Sequence, residues 1–138
     1  MEQALTIPNS RETHFINVSQ ILYIKADGDY INIYLTNNDP IKIPRETGND
    51  GKPEGNTTKY NIQLTIQLGV VDKIIQKSSN DIRKHLVRID RSYIINIDYI
   101  FKINLTESSI YLMDPSNKIY SLKISRERLA ELKKKFEK

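Results

Sequence analysis

The chain is a succession of short runs in which β-branched and aromatic residues alternate with polar ones: THFIN, QILYIK, YINIYL, YNIQL, HLVRI, SYIIN, YIFKINL, SIYLM and KIYSL. A period of two sorts side chains onto opposite faces of a strand, and runs this short cannot carry a long helical stripe. Turn formers separate them, notably Asp27 and Gly28, Asn37 to Pro40, and Asp114 to Asn117. The spacing predicts a mostly β fold. In YINIYL the alternation sends Ile31, Ile33 and Leu35 to one side and Tyr30, Asn32 and Tyr34 to the other, the pattern of a strand buried on one face only.

Two stretches break this period. In TIQLGVVDKIIQK the residues Leu68, Val71, Ile74 and Ile75 share one side of a short helix, with Thr65 as its expected N-cap. In SRERLAELKKKFEK a second helix places Leu129, Leu132 and Phe136 on one stripe, with Ser125 as cap and lysines in the last turn, where they complement the helix dipole. Residues 44–60, PRETGNDGKPEGNTTKY, are poor in apolar residues and read as an exposed loop. No internal repeat is visible.

A chain of 138 residues with 38% apolar content is the size of one domain, so residues 1–138 are expected to share one core. The absence of cysteine excludes a disulfide scaffold, a thiolate nucleophile and a zinc-thiolate cluster, and it fits a cytoplasmic protein. No apolar run approaches the roughly 18 residues that span a bilayer, and the N-terminus lacks the layout of a signal peptide. The formal net charge of +4 is unevenly spread. Residues 81–138 hold thirteen Lys and Arg against eight Asp and Glu, whereas residues 1–80 hold eight against nine. A basic half suits a polyanionic partner, but it also serves solubility, so the position of the charges must decide.

Catalytic and metal chemistry find little footing. His14 and His85 sit in strand-like runs without a second histidine at ligand spacing and are read as structural. Asp27 and Asp29 flank a glycine in ADGDY, but the sixth-position glycine and twelfth-position glutamate of a calcium loop are missing, which leaves a turn. There is no phosphate-binding glycine loop and no GxSxG elbow. Neither an enzyme nor a cofactor is expected.

One stretch does not fit a core strand. HLVRIDRSYIIN is interrupted by Arg88, Asp90, Arg91 and Ser92, groups that are costly to bury. Taken in order with SQILYIKADGDYINIYL at 19–35 and KIYSLKISRERLAEL at 118–132, it resembles the LytTR family, the DNA-binding output domain of many bacterial response regulators in two-component systems. The likeness covers about residues 5–133. It implies stacked small antiparallel sheets with one short internal helix and a C-terminal helix, and loops that enter successive major grooves of double-stranded DNA.

Carried over by position, the resemblance puts base contacts at Asp29 in the first loop, Arg91 in the middle one and Arg126 in the last. An arginine fork suits O6 and N7 of guanine, whereas an aspartate near phosphates is repelled unless it accepts from cytosine, so Tyr30 is a second candidate in the first loop. Arg88, Ser92, Lys123, Ser125 and Arg128 suit phosphate oxygens, with helix capping as the competing role of Ser125. Asp90 stands where the family often has histidine and is expected to pair with Arg91. Asn96 is read as a turn former that ends its strand. The resemblance further implies binding as a weak homodimer on direct repeats, and a receiver or sensor partner in trans or in a longer parent chain, with no membrane contact. The competing class is a protein-interaction or ligand-sensing β module that does not bind DNA.

Overall fold

The run ILYIKAD forms a strand with Ile21, Leu22, Tyr23 and Ile24 all buried, and a strand so apolar on both sides must lie between two layers. The structure is a computed structural model and describes residues 4–9, 11–36 and 62–136. In chain order its elements are β1 (Ala4–Asn9), β2 (Glu12–Asn17), β3 (Ile21–Asp27), β4 (Tyr30–Leu35), β5 (Ile62–Leu64), α1 (Leu68–Gln76), α2 (Asn80–His85), β6 (Leu86–Arg88), β7 (Tyr93–Asn96), β8 (Ile100–Asn104), β9 (Ser109–Met113), β10 (Ile119–Lys123) and α3 (Arg126–Phe136). Short 3-10 turns at Val18–Gln20 and Ile97–Tyr99 precede β3 and β8.

The strands form three antiparallel sheets: the hairpin β1-β2, the central sheet in the order β5-β4-β3-β7-β6, and the sheet β10-β9-β8. One face of the central sheet gives Ile24, Ile31, Ile33 and Ile94 to a cluster completed by Leu5 and Ile7 of β1, Leu68, Val71 and Ile75 of α1, and Ile82 of α2. The other face gives Leu22, Tyr23 and Ile95 to a second cluster with Ile110 and Leu112 of β9, Leu122 of β10, and Leu129 and Leu132 of α3. Tyr23 stacks on Tyr34 at 4.3 Å between ring centroids and meets Tyr120 edge-on at 6.3 Å, joining the two larger sheets. Burial, then the neighbouring tyrosine hydroxyls, pushes the Tyr23 hydroxyl far above the usual tyrosine range.

The mostly β architecture with small antiparallel sheets is the one expected, with local corrections. β4 is covered on both faces: Asn32 is buried beside Ile31 and Ile33, and Tyr34 lies under Tyr23. Its period-two pattern arose in part from Asn32 and Tyr34, polar-looking residues that are themselves packed. Strand β1 was hidden by Pro8, which stands in a strand whose partner lies on one side only. His85 belongs to the last turn of α2 rather than to a strand. That helix has six residues, too few for a helical period to show in the sequence. α1 begins at Leu68 after an extended Gln67, so Thr65 lies upstream of the helix and does not cap it. In α3, Leu129 and Leu132 are buried but Phe136 is 48% exposed, in the last turn beyond the sheet. Residues 44–60 lie outside the described residues.

Candidate nucleic-acid interface

The first loop is the β3-β4 hairpin. Asp27 pairs with Tyr30, leaving only Gly28 and Asp29 in the turn, and Gly28 at φ +65° occupies the place that a type II′ turn reserves for glycine. A side chain at position 28 would meet no steric neighbour within 4 Å, so the backbone angle, not space, favours glycine there. Asp29 and Tyr30 are exposed at the tip. Asp27 accepts from Asn32 Nδ2 at 3.3 Å, and Asn32 in turn accepts from Gln63 Nε2 at 2.9 Å, which steadies the base of the hairpin.

The middle loop joins β6 to β7. Arg88 pairs with Ile94, and the Ile89 N–H donates to the Tyr93 carbonyl at 2.9 Å, closing a three-residue excursion of Asp90, Arg91 and Ser92. The expected ion pair between Asp90 and Arg91 is not formed among the described residues. Asp90 Oδ1 instead accepts from the backbone N–H groups of Ser92 at 2.8 Å and Tyr93 at 3.0 Å, an Asx turn that shapes the loop. Arg91 is exposed, and its guanidinium has no hydrogen-bond or ion-pair partner among the described residues. The Ala26 N–H donates to the Ser92 carbonyl at 2.8 Å, so this loop begins its strand directly beside the end of β3. Asp29, Tyr30, Arg91 and Ser92 therefore share one end of the central sheet.

Arg88 points elsewhere. Its Nε donates to the Asp90 carbonyl at 3.0 Å and its Nη1 lies 3.7 Å from Asp72 Oδ2 of α1, so it faces the helical layer and not an open polar surface.

The last loop is the junction of β10 and α3. The Ile124 N–H donates to the Ser108 carbonyl at 3.1 Å, and Ser125 caps the helix: its Oγ accepts from the Arg128 N–H at 3.3 Å and its carbonyl from the Leu129 N–H at 3.0 Å. The two roles considered for Ser125 are compatible, since a hydroxyl that accepts at the cap keeps its own hydrogen to donate. Lys123 Nζ reaches the Glu107 carbonyl at 3.3 Å, and Arg128 Nη1 stands 3.8 Å from Glu131 in an exposed pair that is a weak hold. Arg126 is exposed and has no side-chain partner among the described residues. Buried Ile89 of the middle loop and buried Ile124 and Leu129, which flank Arg126, belong to the same core cluster.

One residue passed over in the sequence stands close to the first two loops. Lys25 is exposed, pairs in register with Tyr93, and holds its ammonium 6.0 Å from that ring. In the sequence it reads only as the polar side of a strand. Asn96 does more than end β7: it is buried, its Nδ2 donates to the carbonyls of Val18 at 3.2 Å and Ile21 at 3.0 Å, and its Oδ1 accepts from the Asp98 N–H at 2.9 Å. Burial, then the charge of Asp90, raises the Tyr93 hydroxyl above the usual tyrosine range, so it stays an uncharged donor near the basic loop. Each histidine has a single carboxylate beside it, Glu12 for His14 at 3.2 Å and Asp98 for His85 at 2.8 Å. Among the described residues no group of three or more His, Cys, Asp and Glu could hold a metal ion, and no helix is long and apolar enough to cross a membrane.

The stacked small sheets leave two exposed arginines without a partner among the described residues, Arg91 in the β6-β7 loop and Arg126 at the first position of α3. The family model of the LytTr DNA-binding domain matches residues 54–137, and the chain belongs to that family. Its fold is similar to that of a solved structure from Bacillus cereus, described as the LytTr DNA-binding domain of a methyl-accepting/DNA response regulator. The TM-score is 0.52 and the identity 14%, over 97% of this chain and 96% of that one. No curated protein sequence matches the chain.

Proposed function

We propose that this chain binds double-stranded DNA in a sequence-specific manner as the output domain of a bacterial transcription regulator, with its loops in successive major grooves. The observation that carries this reading is the Ala26 to Ser92 hydrogen bond, which sets the Asp29 turn and the Arg91 loop side by side at one end of the central sheet. Arg91 and Arg126 donate to guanine edges, and Tyr30, with Asp29 where a cytosine amine is opposite, serves the first loop. Ser92, Lys123, Ser125 and Arg128 hold phosphates and fix register. Lys25 joins this phosphate set. Two copies occupy direct repeats and associate weakly on DNA, and the input comes from a receiver or sensor partner, in trans or in a longer parent chain. The reading places the protein in the cytoplasm.

The test is affinity for a duplex selected from a random pool, measured against salt. Each cationic phosphate contact adds about 0.9 to the slope of log affinity against log salt concentration. Lys25→Ala is expected to lower that slope by about 0.9 and to weaken selected and random duplexes alike. A flat salt response of the parent protein would favour a protein-interaction or ligand-sensing module instead.

A further inference from the structure

The middle loop is fixed from both sides of Arg91, and the side chains that fix it run back to helix α1. The Asp90 carboxylate closes the turn on the N–H groups of Ser92 and Tyr93. The Asp90 carbonyl, on the opposite side of that residue, is held by Arg88 Nε at 3.0 Å. The other arm of the same guanidinium lies 3.7 Å from Asp72 Oδ2, with the two side chains 32% and 26% exposed. Asp72 is itself set by Gln76 Nε2, which donates to its second oxygen at 3.3 Å. The guanidinium also lies against Gly69 of α1, where an added Cβ would stand in ordinary contact at 3.7 Å from Arg88 Nη1.

From this geometry we infer that Asp72, Arg88 and Asp90 form a brace that positions Arg91 for base reading, with α1 as its anchor. The inference rests on the reading of Arg91 as a base contact. A rigid fork suits this work, because a planar guanidinium can hold a carbonyl and a carboxylate at once in a defined relative orientation, which a lysine cannot. Holding both neighbours of Arg91 removes backbone freedom before DNA arrives, so less ordering is needed on binding. Arg88 is thereby a positioning residue, although its charge and sequence position suit a phosphate contact.

The two roles differ in sign and in salt response. The full chain is tested as Asp72→Asn, Arg88→Gln, the double variant and Arg91→Ala, on a duplex selected by the parent protein and on poly(dI·dC). Removing an acidic charge from a DNA-binding protein raises its affinity for any duplex if electrostatics alone acts. The brace predicts the reverse for the selected duplex: Asp72→Asn weakens it about threefold to fivefold, the weight of one partly exposed ion pair, while binding to poly(dI·dC) does not fall. Arg88→Gln loses about tenfold on the selected duplex, keeps the parent's salt slope, and speeds amide exchange at Ser92 and Tyr93. The double variant is no worse than Arg88→Gln. Circular dichroism and thermal unfolding confirm that each variant is folded. If Asp72→Asn binds the selected duplex at least as tightly as the parent, the brace is overturned; if Arg88→Gln lowers the salt slope by about 0.9 and weakens both duplexes equally, it is overturned and Arg88 is a phosphate contact. In either case a selectivity loss in Arg91→Ala leaves the base-reading assignment standing. Unchanged selectivity in Arg91→Ala removes that assignment and the brace with it.

Discussion

Arg91→Ala weakens binding to a selected duplex by about 1–3 kcal/mol and relaxes the preference at one base pair, with little change on random DNA, and Arg126→Ala does the same at a second base pair. The expectation follows from the state of the two side chains. Both are exposed, and neither spends its guanidinium on a partner among the described residues. Truncation therefore removes nothing from the folded protein and leaves stability within about 0.5 kcal/mol of the parent. On DNA the same truncation leaves guanine acceptors facing an empty groove. The measurement is titration of labelled duplexes carrying each single base change, at one fixed salt concentration. An equal loss on every duplex would make the residue a phosphate contact, and no loss from either variant would end the assignment of both arginines as base readers.

Asn96→Ala has its effect on folding. The side chain is 1% exposed and makes three hydrogen bonds, two to the carbonyls of Val18, which opens the Val18–Gln20 turn, and Ile21, which follows it, and one from the N–H of Asp98. It thus fastens the entry to β3 and the exit from β7, the two strands that carry the first and middle loops. Buried polar groups left without partners cost about 1–3 kcal/mol each. Val18 O also accepts from the Ile21 N–H and is only partly deprived. The expected loss is about 2–4 kcal/mol, with a fall in Tm on the order of 10 °C. Asn96→Asp destabilises at neutral pH as well, because a carboxylate would then face two carbonyl oxygens without a donor to offer. A Tm within about 2 °C of the parent for Asn96→Ala would show that water or a local shift replaces these bonds.

The parts of the fold that were legible in the sequence are those whose signal is local. β3, β4, β7, β9 and β10 announce themselves by alternation or by apolar density, and the turns at Gly28 and at Asp114 to Asn117 by residue type. Asp114 shows why that works. Its burial favours the neutral form, but donors from the backbone of Lys118, from Ser116 and from Tyr120 outweigh this and hold its carboxyl below the usual range, so the residue type suits the turn. What escaped depended on distant partners. α2 is too short to show a period, β1 exists because β2 folds back on it, and the double coverage of β4 depends on a sheet more than sixty residues later in the chain. At the candidate site the loop places of Asp29 and Arg91 were readable, whereas Arg126, expected in a loop, opens α3, and hydrogen-bond direction was not readable. The sequence places Asp90 next to Arg91, yet the aspartate turns to the backbone, because two N–H groups are held there and a flexible exposed side chain is not.

The bare guanidinium groups at positions 91 and 126 bear on how such a regulator changes over generations. Under the proposed reading, an exchange at either position alters the operator that is favoured while the interior is left as it was, so new target preferences can be sampled one codon at a time. A lineage that duplicated this gene could diverge in the promoters it controls long before its two copies differed in how well they fold.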